Sequence, residues 1–199
     1  MSEVTARPLR ADAERTVRTI MEAAERTLGR NPAATMEEIA AAAGVARTTV
    51  HRRFATRDVL ITAMATWATQ QLADAVEAAR PESSPPLVAL YQATANVLRV
   101  KISWGFSMNT AFAQDGESAR IYAGVVERCD QLFRRTQEVG ILRADVDPVW
   151  ARRVYYALMH EACQNVSTAD ADEADTDALA TQLIDTLLRG LGTPNPQLT

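Results

Sequence analysis

Residues 35–64 read TMEEIAAAAGVARTTVHRRFATRDVLITAM, and this stretch decides the fold. Thr35-Met36-Glu37-Glu38 has the spacing of a capping box, in which the threonine hydroxyl accepts from the third helical amide and Glu38 reaches back to the cap. Ile39, Ala40 and Ala43 supply the inner face of that helix, and Gly44 stops it after two turns. A second short helix, about 46–54, follows at once, with Val50 and Phe54 four apart and directed inward. Thr56 then caps a long helix reaching about residue 79, with Val59, Leu60, Ala63, Met64, Trp67 and Leu72 on its apolar face. Two short helices joined at a glycine and packed against an earlier helix make a helix-turn-helix, whose second helix enters the major groove of DNA.

The second helix presents Arg47, Thr48, His51 and Arg52 opposite its apolar side, with Thr49 beside them. Arginine bonds guanine bidentately, and threonine offers a hydroxyl or a methyl to a base edge. Thr35 and Arg57 stand at two other helix starts, where free amides favour a phosphate, so both are expected to clamp the DNA backbone. Charge follows the same division. Residues 1–60 hold ten arginines against eight acids, a net of +2, and the rest carries −6, for an overall charge of −4. Between Gly44 and Arg57 there are four arginines and no acid.

Upstream, residues 1–10 read as a loose tail. Val17, Ile20, Met21, Ala24 and Leu28 then mark one face of a helix over about 12–28, ended by Gly29 and Asn31-Pro32. Downstream, Pro81–Pro86 reads as a linker. Helices are expected over about 87–100, 118–139, 148–166 and 176–191, with an aromatic segment at Trp104–Phe112. The expected class is all-α, about nine helices, divided into a DNA-binding domain at 1–57 and a helical ligand-binding and dimerisation domain at 58–199. With 47% apolar residues and only eight glycines and eight prolines, the composition suits a helical chain with a real core.

The two cysteines, Cys129 and Cys163, read as free thiols, too few for a disulfide scaffold or a thiolate zinc site. No run of about 18 apolar residues occurs, so a cytoplasmic protein without a membrane span is expected. His51 and His160 are the only histidines, and neither has metal-ligand spacing. With no glycine-rich phosphate loop and no nucleophile elbow, no catalytic residue, metal or cofactor is assigned.

The stretch quoted above, together with IMEAAERTLGR before it, resembles the DNA-binding region of the TetR family over about residues 15–64. That resemblance implies a homodimer on a palindromic operator, with Thr48, His51 and Arg52 at the recognition positions. His51 stands where members often carry tyrosine, and Arg57 where many carry lysine. It also implies a repressor released by a small apolar or amphipathic molecule. An activator, or a regulator controlled by a protein partner, is the alternative.

Dimerisation is expected through two apolar stripes: Val149, Trp150, Val154, Leu158 and Ala162 on one late helix, and Leu179, Leu183, Ile184, Leu187 and Leu188 on the other. For the ligand, Trp67, Trp104, Phe106, Met108, Phe112, Tyr122, Tyr155 and His160 are the candidates, with Asn109, Gln114, Glu161, Gln164 and Asn165 as further polar anchors. Trp104-Gly105-Phe106 suggests a helix break near a cavity.

Overall fold

The structure, a computed structural model, describes residues 6–111, 116–164 and 174–194, with side chains at 12–110, 116–164 and 174–194. Nine helices make up the described residues: α1 (Ala6–Arg30), α2 (Met36–Ala42), α3 (Arg47–Arg53), α4 (Arg57–Ala78), α5 (Pro86–Ser103), α6 (Gly105–Ala111), α7 (Glu117–Glu138), α8 (Pro148–Gln164) and α9 (Thr176–Leu191). The expected tail is shorter than its reading, because α1 already begins at Ala6. Pro8 lies within the first turn, where a missing N–H forfeits no helical bond.

Local chemistry accounts for the α2–α3 unit. Thr35 Oγ1 accepts from Glu38 N at 3.2 Å, and Glu38 Oε2 accepts from Thr35 N at 2.7 Å, which completes the capping box. After α2, Gly44 adopts φ +67°, a left-handed conformation that a side chain disfavours. There Gly44 N donates to Ala41 O and Val45 N to Ala40 O, both at 3.1 Å, a Schellman closure that turns the chain straight into α3. Val50 and Phe54 are buried with Ile20, Leu28 and Ile39 in a small core.

That small core also takes Leu60 and Met64 from α4, whereas Ala68, Leu72 and Val76 of the same helix enter a larger core formed with α5, α7, α8 and α9. The expected division after residue 57 thus falls at the first residue of a helix that serves both halves. The stretch 81–86, expected as a linker, is a tight connection. Arg135 of α7 donates to the carbonyls of Pro81 and Ser84, the latter at 3.0 Å, and holds the α4–α5 turn against the bundle.

The two late helices differ from the symmetric picture of the stripes. On α9, Leu183, Ile184 and Leu187 face the chain's own core, which leaves Leu179 and Leu188 half-buried. On α8 the buried side is Ala151, Tyr155 and Met159. Of the expected α8 stripe, Val154, Leu158 and Ala162 are half-buried against that same core, and only Val149 and Trp150 are exposed, Trp150 to 56%.

Candidate nucleic-acid interface and ligand cavity

On α3, Arg47, Thr48, His51, Arg52 and Arg53 are exposed, Thr49 is half-buried and Val50 is buried, so the polar face forms one outward surface. The segment itself holds no acid, but a neighbouring helix brings one to it. Glu37 of α2 reaches across to Arg47, with Nη1 and Oε1 2.5 Å apart, and Arg47 Nε donates to His51 Nε2 at 3.4 Å. Arg47 therefore braces α2 against α3, and the unengaged polar groups at the surface centre on Thr48 and Arg52. Thr35 is fully used in its cap.

Arg57, expected as a phosphate clamp, is engaged within the chain. Its guanidinium donates from Nε to Ala34 O at 3.3 Å and from Nη2 to Pro32 O. Both carbonyls belong to the α1–α2 loop, so Arg57 fixes the loop that carries Thr35 and is half-buried there. Arginine suits this task because its planar fork reaches two acceptors at once.

A cavity of about 210 Å³ opens in the larger core. Leu72 and Val76 of α4, Leu90, Ala93, Val97 and Lys101 of α5, the α7 face from Tyr122 to Phe133, and Tyr155, Tyr156, Met159 and His160 of α8 form its wall. Three candidate ligand residues, Tyr122, Tyr155 and His160, meet there. Four others do not. Trp67, Trp104 and Phe106 pack against the small core, where Arg18 covers the Trp67 ring at 5.5 Å, and Met108 is buried in the large core away from the cavity wall. The reason is the position of the helix break. Trp104 closes α5 and Gly105 opens α6, so the aromatic segment lies at the seam between the two cores. Phe112, Gln114 and Asn165 lie outside the described residues. Asn109 and Glu161 are exposed, and Gln164 donates to His160 Nε2 at 3.1 Å.

Polar groups in this wall are few. Tyr155 Oη bonds Thr94 Oγ1 at 3.1 Å, and Thr94 in turn donates to Leu90 O at 2.6 Å. Burial raises both the Tyr155 hydroxyl and the Cys129 thiol above their usual pKa, so each is neutral. Tyr156 Oη is buried without a completed hydrogen bond, although the Cys129 thiol is beside it and Arg152 stacks over its ring at 5.1 Å. Lys101, Arg128 and Cys129 belong to the wall and were absent from the sequence candidates. The one usable signal was that Lys101 is the only lysine in a chain that otherwise uses arginine.

A further junction was not anticipated at all. Glu25 of α1, only 4% exposed, accepts from Phe106 N at 2.7 Å and Ser107 N at 3.1 Å, and from the Ser107 hydroxyl. A carboxylate of the DNA-binding end thus caps the first turn of α6. Among the described residues, no cluster of His, Cys, Asp or Glu could hold a metal, and no helix is long and apolar enough to cross a membrane.

Comparison with known proteins agrees with this architecture. The family model of bacterial regulatory proteins of the tetR family matches residues 20–64. The chain is 32% identical over 171 residues to the HTH-type transcriptional repressor LfrR of Mycolicibacterium smegmatis, covering 85% of this chain and 89% of that protein. It is 29% identical over 133 residues to the HTH-type transcriptional regulator NfxB of Pseudomonas aeruginosa, covering 65% and 71%. A crystal structure of LfrR in complex with proflavine superposes with a TM-score of 0.64 at 30% identity, covering 90% of this chain and 99% of that one. The fold is shared also with PfmR from Thermus thermophilus, at a TM-score of 0.69 and 19% identity over 85% and 97% of the two chains. The chain belongs to the TetR family: it is a transcriptional regulator and not an enzyme.

Proposed function

We propose that this regulator is a repressor that binds a palindromic operator as a homodimer through α3 and leaves it when a small apolar or amphipathic molecule fills the central cavity. One observation carries the reading. A single uninterrupted helix, α4, contributes Leu60 and Met64 to the core beneath α3 and Leu72 and Val76 to the cavity wall. A ligand that displaces the far end of a rigid helix must move the near end, and coupling of this kind needs only a differential affinity for the two positions. The proflavine complex of LfrR supports a small-molecule effector. A role at DNA also places the chain in the cytoplasm. The division into a DNA-binding part at 1–57 and a ligand-binding and dimerising part at 58–199 belongs to the same proposal, with the exposed Val149 and Trp150 of α8 on the twofold axis.

Fluorescence anisotropy with duplex DNA from the gene's own upstream region tests the DNA half. Binding is expected to be sequence-specific and to fall steeply with salt. Thr48→Ala and Arg52→Ala should each cost about 1–3 kcal/mol, roughly 5- to 150-fold in affinity, with the dimer intact by analytical ultracentrifugation. Wild-type affinity in both variants would remove these residues from the interface. A loss of specific binding when Val149 and Trp150 are both made polar, accompanied by monomers, would support the twofold arrangement. If no small molecule altered operator binding, control by a protein partner would be the better reading.

A further inference from the structure

We infer that Glu37 of α2 is a positioning residue for operator recognition: through Arg47 it holds His51 in the tautomer with the proton on Nδ1, so that His51 meets DNA as a neutral hydrogen-bond donor. This deepens the reading of α3 as the DNA-facing helix and rests on it. Three side chains from two helices form one chain of contacts. Glu37 lies in the first turn of α2, where the positive end of the helix dipole favours an acid. Its Oε1 is 2.5 Å from Arg47 Nη1. Arg47 and His51 are four residues apart on α3, hence on one face, and Arg47 Nε donates to His51 Nε2 at 3.4 Å. The guanidinium acts as a fork, with one arm on the acid and one on the ring, a geometry that an ammonium lacks. As the first residue of α3, Arg47 sets a cation at the positive end of that helix, a position that helix stability does not favour.

The tautomer follows from the direction of the bond. An arginine only donates, so Nε2 is the accepting, unprotonated nitrogen, and the neutral ring carries its hydrogen on Nδ1. An imidazolium would lose this bond and set a second cation against Arg47. The Glu37–Arg47 pair is exposed, 50% and 62% at the two side chains, so it adds little stability of its own. What it fixes is orientation. With Nε2 engaged, Nδ1–H is the polar group that the ring has left for a partner. DNA offers it phosphate oxygens, or base edges such as guanine N7 and O6.

Long-range proton–nitrogen NMR of the free full-length protein at about pH 8, above the ordinary titration range of imidazole, reads the tautomer directly. His51 is expected to be mainly Nδ1–H, its signals identified by their loss in His51→Ala. Glu37→Ala and Arg47→Lys, both at exposed positions, should shift the ring toward Nε2–H, with circular dichroism to establish that each folds. A wild-type His51 that is mainly Nε2–H, or one that both variants leave unchanged, overturns the inference. A double-mutant cycle in operator affinity tests the role. His51→Ala should weaken binding about 2- to 12-fold, the worth of one hydrogen bond, without changing the slope of log K against log salt, because a neutral group releases no counterion. Glu37→Ala also removes an anion, but that effect is the same with or without His51. The part that acts through His51 is not, so the effect of Glu37→Ala should differ by about threefold or more between the wild type and His51→Ala. Additive effects, or a salt slope reduced by about one in His51→Ala, sink the inference and leave Glu37 as a brace between α2 and α3. Coupling that persists on DNA of unrelated sequence assigns the acceptor to phosphate, and coupling confined to the operator assigns it to a base edge. If the wild type binds no DNA, the reading of α3 fails and takes the role of His51 with it, while the tautomer stands or falls on the NMR alone.

Discussion

Replacing Glu25 with alanine is expected to lower the unfolding free energy by about 2–4 kcal/mol and the melting temperature by roughly 10 °C. Three donors converge on this carboxylate: two backbone amides and one hydroxyl at the start of α6. Hydrogen bonds to a charged acceptor are worth about 1.5–3 kcal/mol each, and the loss of the acceptor strands buried donors. Against that stands the desolvation of the carboxylate, which the deletion removes, and the net is therefore smaller than the sum. The functional effect should be larger than the stability effect suggests. Glu25 bolts α1, which packs under α2 and α3, to the helix that continues from the cavity-lining α5. Without it, a ligand of the cavity should weaken operator binding several-fold less than in the wild type. Urea unfolding and ligand-dependent anisotropy measure the two effects. A melting temperature within 2 °C of the wild type would show that water replaces the carboxylate without cost.

The same group gives a pH signature. Burial raises the Glu25 carboxyl above its ordinary value of 4.5, and the bonds from Ser107 and Phe106 only partly pull it back. Because the folded pKa is the higher one, the folded state binds the proton more tightly. The stabilisation is complete below about 4.5 and is lost as pH rises through the raised folded value. Glu25→Gln cannot take up that proton, so its penalty relative to the wild type should be greater at pH 4.5 than at pH 7.5.

What could be read from the residues alone followed the range of the forces involved. The α2 cap, the Gly44 turn and the inward pair Val50–Phe54 depend on contacts within about ten residues, and each is visible as a spacing. The break at Gly105 was visible for the same reason. Its surroundings were not, since whether Trp104 and Phe106 border a cavity or a seam depends on α1, some 80 residues away, and on Glu25 within it. Arg47 and Arg57 show the same limit from the opposite side. Each stands on a face that suits DNA, yet their nearest acceptors, Glu37 and the Pro32–Ala34 loop, come from other elements. Lys101 sits on an apolar helix between Val97 and Trp104, and a helical period alone cannot say that its neighbours across the gap are tyrosines.

Phe133→Ala should be the most destabilising single change in the ligand-binding part, at about 3–5 kcal/mol. Phe133 is 1% exposed, with its ring 5.5 Å from that of Tyr155 at an interplanar angle of 59°. Part of the loss is transfer of the ring, and roughly 0.5–1.5 kcal/mol is the aromatic pair. The rest depends on whether the site collapses, and here it is poorly placed to do so. Phe133 already borders an open volume of about 210 Å³, so the space left by the ring joins that volume and stays open, losing about 24 cal/mol for each Å³ retained. This yields a result that ordinary core damage would not produce. A bulky apolar ligand should recover part of the lost stability, because binding to the folded state alone adds RT ln(1 + [L]/Kd). Saturating 2-methylnaphthalene should therefore raise the melting temperature of Phe133→Ala more than that of the wild type. Leu28→Ala, an equally buried deletion in the small core away from the cavity, should lose stability without any such rescue. Equal ligand shifts in all three proteins would mean that the wall closes over the missing ring and that Phe133 supports the core without shaping the cavity.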